Sequence, residues 1–233
     1  MDKKVHKRTF FFLWVLCIVG AWCVLPYINF LGAPQERKGI AFLTFTLGNA
    51  ILFGVAVLCS FFILRKTDLS PLRRERFLKK SVFPGLIAGL AVGAILILLN
   101  RTIFRDSILA NIRISDWKAL LASFYGGINE EILNRLFLFT LIYLSFQKIF
   151  KFKIKTGTPY LWLTNGIVAL VFGLVHLPMA FSQITPSSFE VFRILFLNGI
   201  GAIVFGWLYW SRSLWAAMIA HFIADVMIIL PSL

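Results

Sequence analysis

The feature that most constrains this chain is its series of apolar runs, several of which approach or exceed the ~20 residues that cross a bilayer as a helix. Of 233 residues, 59% are hydrophobic and 15% charged, whereas soluble domains carry about 25% charged residues. The chain therefore reads as an all-α, polytopic transmembrane helix bundle: one integral-membrane domain, residues 1–233, with no soluble module. A net charge of +14 would suit nucleic acid. Its placement argues against that partner, because Lys and Arg gather in the short loops between apolar runs. That is the positive-inside pattern, with some affinity for anionic headgroups, so the expected partner is the lipid bilayer. Cys17, Cys23 and Cys59 all fall inside apolar runs, without metal-ligand spacing or a disulfide framework.

Read in order, the pattern predicts seven spans. Lys3, Lys4, Lys7 and Arg8 precede a run over 10–31. This start imitates a signal peptide, but the run is long, holds Trp14, Trp22 and Tyr27, and is followed by no small-x-small cleavage site. It reads as a first transmembrane helix with a cytoplasmic N-terminus, which makes the chain a multi-pass protein of the cell membrane. A second span covers 40–64, and the strongly basic loop 65–80 belongs inside. The third, 82–99, is rich in Gly and Ala, which let helices approach closely. Residues 101–118 fit an interfacial amphipathic helix or a plain loop. The fourth span covers 117–146, the fifth 160–179, the sixth 189–210 and the seventh 214–230, with an outer loop over 177–188.

The fourth span carries Asn129-Glu130-Glu131-Ile132-Leu133-Asn134-Arg135. Ionisable groups at membrane depth cost about 2.5–3.5 kcal/mol each on insertion scales and mark function by default. Glu131 and Arg135 stand four apart, about 40° around an α-helix, and can pair. Glu130 is about 140° from Arg135, sits over Asn134 instead, and is left free for chemistry. A single interhelical polar network holding all three is the other reading of this stretch.

Two later spans also carry ionisable groups. His176 follows Phe172 by four residues, and Asp225 follows His221 by four. Each taken alone has a bland reading, a core histidine or a self-satisfied pair. Together with Glu130 they are hard to explain as independent accidents, since polar groups in a bundle face its interior, where they would meet. Carboxylates with imidazoles are a hydrolytic set. They can hold a catalytic zinc with an open position for water, or work as base, proton carrier and oxyanion stabiliser without one. The metalloprotease HExxH spacing and a Gly-x-Ser-x-Gly elbow are both missing from the sequence.

At these residues the chain resembles the CPBP intramembrane proteases, the CaaX prenyl endopeptidase type II and bacteriocin-processing group also called the Abi family. Glu130-Glu131 with Arg135, Phe172 with His176, and His221 with Asp225 stand where that family shows Glu-Glu-x-x-x-Arg, Phe-x-x-x-His and His-x-x-x-Asn or Asp. The resemblance covers about 117–227, the motif-bearing protease core. It implies that Glu130 and His176 activate a water, that His221 and Asp225 line an oxyanion site, and that Glu131 with Arg135, supported by Phe172 and Asn134, holds the helix. No cofactor is favoured. If a divalent metal such as zinc is bound, Glu130, His176, His221 and Asp225 would be its ligands. Prenyl-processing members carry Asn where this chain has Asp225, and an ionised Asp accepts hydrogen bonds without donating any.

The leading expectation is an intramembrane endopeptidase acting on a peptide or a membrane-anchored protein. The alternative is a non-catalytic membrane protein of the same fold that gives its producer immunity to a bacteriocin. A costly unpaired glutamate argues against it. A proton-coupled transporter would show paired repeats with broken helices, and the sequence has none.

Overall fold

The computed structural model describes residues 3–30, 38–72, 76–109, 116–151, 158–182 and 184–229. Its elements are helices: α1 (Lys3–Phe30), α2 (Lys38–Leu64), α3 (Phe83–Arg101), α4 (Asp116–Tyr125), α5 (Thr140–Phe150), α6 (Thr158–Val175), α7 (Leu177–Phe181), α8 (Ser188–Ser211) and α9 (Leu214–Ile229). Among the described residues six helices are long and apolar enough to cross a membrane, Lys7–Ile28, Ala41–Leu64, Leu78–Arg101, Trp117–Phe150, Thr158–Phe181 and Ser188–Ser211. The seventh expected span is the shorter apolar helix α9, of 16 residues, and the end of that run at 230 lies outside the described residues. The chain is a multi-pass membrane protein.

Where an amphipathic helix was one of two expectations, the described residues 102–109 form none, and 110–115 lie outside the described residues. Thr102 to Asp106 are turns, and Ile112 lies outside the described residues. Phe104 is instead fully buried among Phe189, Phe192 and Phe196 of α8. The expected outer loop over 177–188 is partly helical as well, because Leu177–Phe181 forms α7.

The helices differ in what they face. Only 28% of the most apolar window of each of the first three spans is buried, against 44% for the 117–150 helix. The outer helices turn side chains such as Ile51, Ile87 and Leu98 outward, as lipid contact requires. The inner side joins one cluster in which Leu13 and Cys17 meet Phe53, Val57, Ile132, Leu136 and Phe139.

Helix α3 packs on α9 through a seam of small residues. A Cβ at Gly85 would stand 2.9 Å from the Ala216 carbonyl oxygen, and one at Gly89 would stand 2.7 Å from that of Ala220. One turn on, Gly93 faces Met227 and Ala224. Three glycines four apart thus meet three alanines four apart, the close approach expected of small residues in a membrane. At one end the seam is tied by a buried hydrogen bond of 2.7 Å between the Ser81 and Ser213 hydroxyls. Helix α8 starts with an N-cap: Ser187 Oγ accepts from the Glu190 N–H at 3.3 Å.

Gly89→Leu should therefore push α9 away from α3. Overpacking costs about 1–3 kcal/mol, and His221 travels with α9. A lower melting temperature in detergent is expected, beside no change for Ile87→Val on the lipid-facing side. Equal melting of both variants would mean that the seam is not close-packed.

Candidate active site

The helix that carries the glutamates is not α-helical throughout. Gly126–Glu130 and Ile132–Phe139 are wound as π-helix, with hydrogen bonds from residue i to i+5. Such segments are rare and frequent at functional sites. Gly126 and Gly127 make room for α9 against them. A Cβ at Gly127 would stand 2.9 Å from the Met218 carbonyl oxygen, and one at Gly126 would stand 2.6 Å from Asp225 Oδ2 and 3.2 Å from His221 Nε2.

Glu131 and Arg135 pair as their spacing predicted, Nη1 to Oε1 at 3.1 Å, and neither has any solvent exposure. Winding with i to i+5 hydrogen bonds still leaves positions four apart as neighbours. The guanidinium also donates from Nη2 to the Ala202 carbonyl at 3.2 Å. Its carbon lies 5.0 Å from the centre of the Phe172 ring and 5.9 Å from that of Phe205, distances at which a cation is attracted to an aromatic face. The same Glu131 Oε1 accepts from His221 Nδ1 at 2.8 Å. Glu131 therefore reaches beyond its own helix, which its spacing to Arg135 does not reveal.

The tautomer of each imidazole follows from its Nδ1 partner. His221 Nδ1 faces a carboxylate and carries a hydrogen. His176 Nδ1 lies 2.6 Å from the Phe172 carbonyl oxygen, which only accepts, so it carries a hydrogen too. Both rings consequently present Nε2 to the cavity. Glu130 Oε2 stands 4.0 Å from His176 Nε2 and 3.9 Å from His221 Nε2, and Asp225 Oδ2 stands 3.8 Å from His221 Nε2. The four candidate reactive residues thus meet around one point. The pair His221 and Asp225 does not satisfy itself, because 3.8 Å is not a hydrogen bond. Asn134 donates to the main-chain carbonyl of Glu130 at 2.9 Å, so it holds the backbone beneath Glu130 rather than its carboxylate.

The point lies on the wall of a cavity of about 760 Å³, within the usual range of ligand sites. Apolar residues such as Val24, Phe137 and Val171 line much of it. A metal ion would have to draw the four donors inward. Zinc bonds of about 2.0–2.2 Å in a tetrahedron set donor pairs about 3.4 Å apart, whereas these stand at 3.8 to 4.0 Å. Among the described residues no group of three or more His, Cys, Asp or Glu has metal-binding geometry.

Sequence reasoning missed several residues that shape the site. Phe205 stacks on His221 with ring centres 4.8 Å apart. Asn198 lines the cavity, and Gly126 borders Asp225. A glycine pair just before the Glu-Glu motif was the only available signal among these.

Arg135→Ala would strand Glu131, and breaking a buried ion pair costs about 3–5 kcal/mol. Lower melting temperature and yield should appear before any question of activity arises. A variant with normal melting and normal yield but no activity would make Arg135 part of the chemistry.

Comparison with known families matches residues 114–227, the stretch that holds every one of these site residues, to the family described as Type II CAAX prenyl endopeptidase Rce1-like. No curated protein and no solved structure matches the chain. Over that stretch, just under half of the chain, the match supports the likeness to CAAX-type intramembrane proteases that the motifs carry.

Proposed function

We propose that this protein is an intramembrane endopeptidase that cleaves a peptide bond in a peptide or a membrane-anchored protein. Glu130 and His176 activate the water, and His221 and Asp225 face the oxyanion. The observation that carries this reading is the approach of two Nε2 atoms to one carboxylate oxygen, at 4.0 and 3.9 Å, on the wall of the large cavity.

A separation of 4.0 Å is what one bridging water spans with two hydrogen bonds of about 2.8 Å. His176, neutral with its hydrogen on Nδ1, accepts at Nε2 and orients that water. Glu130 takes a proton from it as the oxygen attacks the scissile carbonyl carbon. The tetrahedral intermediate carries its negative charge on the former carbonyl oxygen. Glu130 then gives the proton to the amide nitrogen as the C–N bond breaks, leaving an acid and an amine. His221 in its imidazolium form donates from Nε2 to the oxyanion, while Glu131 holds Nδ1–H. Asp225 supplies a second donor when protonated.

The same reading takes residues 1–233 as one membrane domain with its protease core over 117–227. It places the N-terminus in the cytoplasm, where the basic loops belong. His176 and Asp225 then lie toward the opposite end of their helices.

Glu130→Gln should abolish cleavage of a reporter peptide by purified protein while melting stays near wild type. The reason is that Glu130 has no cationic partner on its own helix to lose. Activity within a few-fold of wild type would remove Glu130 from the mechanism.

Asp225→Asn tests the last role. Asn donates a hydrogen bond at any pH, so this variant should keep or gain activity. Asp225→Ala should lose about 10²–10³ in rate, as removal of an oxyanion donor typically does. Metal content is measured beside the rate. A stoichiometric transition metal in wild type, lost together with activity in Asp225→Asn, would make Asp225 a ligand instead of a donor.

A further inference from the structure

A smaller cavity, of about 190 Å³, adjoins the large one. Phe172, Asn198, His221 and Asp225 line both. Its wall adds Asn100 at the end of α3 and Arg193 near the start of α8, two residues with no part in the water-activating set.

Arg193 is a cation in an apolar bundle whose partners do not account for it. Its Nε and Nη2 both donate to one neutral atom, Asn100 Oδ1, at 3.0 and 2.9 Å. The acidic residue one turn before it, Glu190, acts on it only through space. Both Glu190 oxygens are engaged elsewhere at 2.7 Å: Oε2 accepts from Ser107 Oγ and Oε1 from the Ile108 N–H. Among the described residues no carboxylate forms an ion pair with Arg193. A neutral donor would tie α3 to α8 equally well. A guanidinium adds further N–H groups, a charge that does not titrate, and a planar fork that matches a carboxylate. A charge of a membrane span that faces a cavity inside the bundle typically marks the path of a substrate or ion.

We propose that Arg193, held by Asn100, is a subsite for a carboxylate of the substrate, so that the protein selects peptides with an anionic group to one side of the cleaved bond. The inference rests on the protease reading above. Arg193 and Phe205, the residue stacked on His221, are twelve residues apart on α8. That is about 18 Å of helix, which extended peptide covers in about five residues. The carboxylate therefore sits a few residues from the scissile bond. It comes from the C-terminus of the peptide or from an acidic side chain.

Paired reporter peptides test the subsite with the full-length protein in detergent. One pair ends in a free acid or an amide, and a second series carries Glu or Gln at successive positions up to about five residues from the cleaved bond. Wild type should favour the carboxylate member of one pair by about tenfold or more in kcat/KM, the size of a charged hydrogen bond to a fixed guanidinium. The pair that shows the preference identifies the source.

Arg193→Gln should bring that ratio close to one, through KM rather than kcat, and Asn100→Leu should lower it partway. Should Arg193→Gln fail to fold, Arg193→Lys, which keeps the charge and loses the fork, takes its place with a reduced ratio expected. A merely structural Arg193 would slow both members alike. No preference in wild type, or an unchanged ratio in the variants, overturns the proposal. So does a preference that vanishes in phosphatidylglycerol bilayers, which would assign Arg193 to a lipid headgroup. Thermal-shift binding of the same peptides to the Glu130→Gln protein makes the comparison without turnover. A protein that binds the acid selectively but cleaves nothing would overturn the protease reading and leave the subsite standing.

Discussion

The carboxylate of Glu131 is the group on which the other site residues depend. It has no solvent exposure, and one of its oxygens meets both Arg135 and His221. Removing an ion from water costs several kcal/mol even after relaxation, and attraction repays this only with good geometry and further hydrogen bonds. Arg135 supplies the opposite charge, and is itself held by the Ala202 carbonyl and the faces of Phe172 and Phe205. One cluster thereby joins the glutamate helix to α6, α8 and α9. It also turns the His221 ring so that Nε2 points away from the pair and toward Glu130. Two adjacent glutamates come to differ by 25% in exposure, one sealed behind the site and the other facing it.

Lipid offers no hydrophobic drive to bring helices together, so contact rests on close packing and interhelical hydrogen bonds. The bundle uses the same device twice. Asn129 donates to the Cys17 carbonyl at 2.9 Å, with its amide where a side chain on Gly20 would be. Asn165 donates to the Ile203 carbonyl at 2.9 Å, with its amide over Gly206. In each case a glycine three residues past the acceptor admits the amide. The first bond anchors the residue next to Glu130, and the second anchors the residue next to Ala202, the acceptor of Arg135. Both ends of the charged cluster are thus fixed by an asparagine that bonds to the main chain of a neighbouring helix.

Much of this was legible in the sequence, and the reason differs from residue to residue. Apolar runs and basic loops marked the spans because bilayer thickness sets a length. Glu131 and Arg135 could be paired because four residues make neighbours on a helix. His176 and His221 stood out because a membrane span rarely keeps an imidazole. Contacts between distant segments were not legible. Glu131 and His221 are separated by 90 positions, and no local pattern selects that partner over Asp225, which is nearer in sequence but at 3.8 Å. The π winding was hidden too, since shifting a hydrogen bond by one residue leaves the composition unchanged. Arg193 belongs to no motif, and only the cavity wall that it shares with Asp225 singles it out.

The end of α6 gives the two imidazoles different surroundings, which fit the different roles proposed for them. At His176 the backbone N–H turns to the Gly173 carbonyl, three residues back, at 3.2 Å. The Phe172 carbonyl, which a continuing α-helix would have given to that N–H, is left over. The imidazole of His176 takes it through Nδ1. A carbonyl opposite Nδ1 suits a neutral ring whose Nε2 accepts, which is what orienting a water demands. His221 has a carboxylate opposite Nδ1, which can hold an imidazolium as well as a neutral ring, and an imidazolium can donate from Nε2. Pro178, just beyond the break, lacks the N–H needed to continue the ladder, so the broken turn that fixes the His176 tautomer is built into the chain.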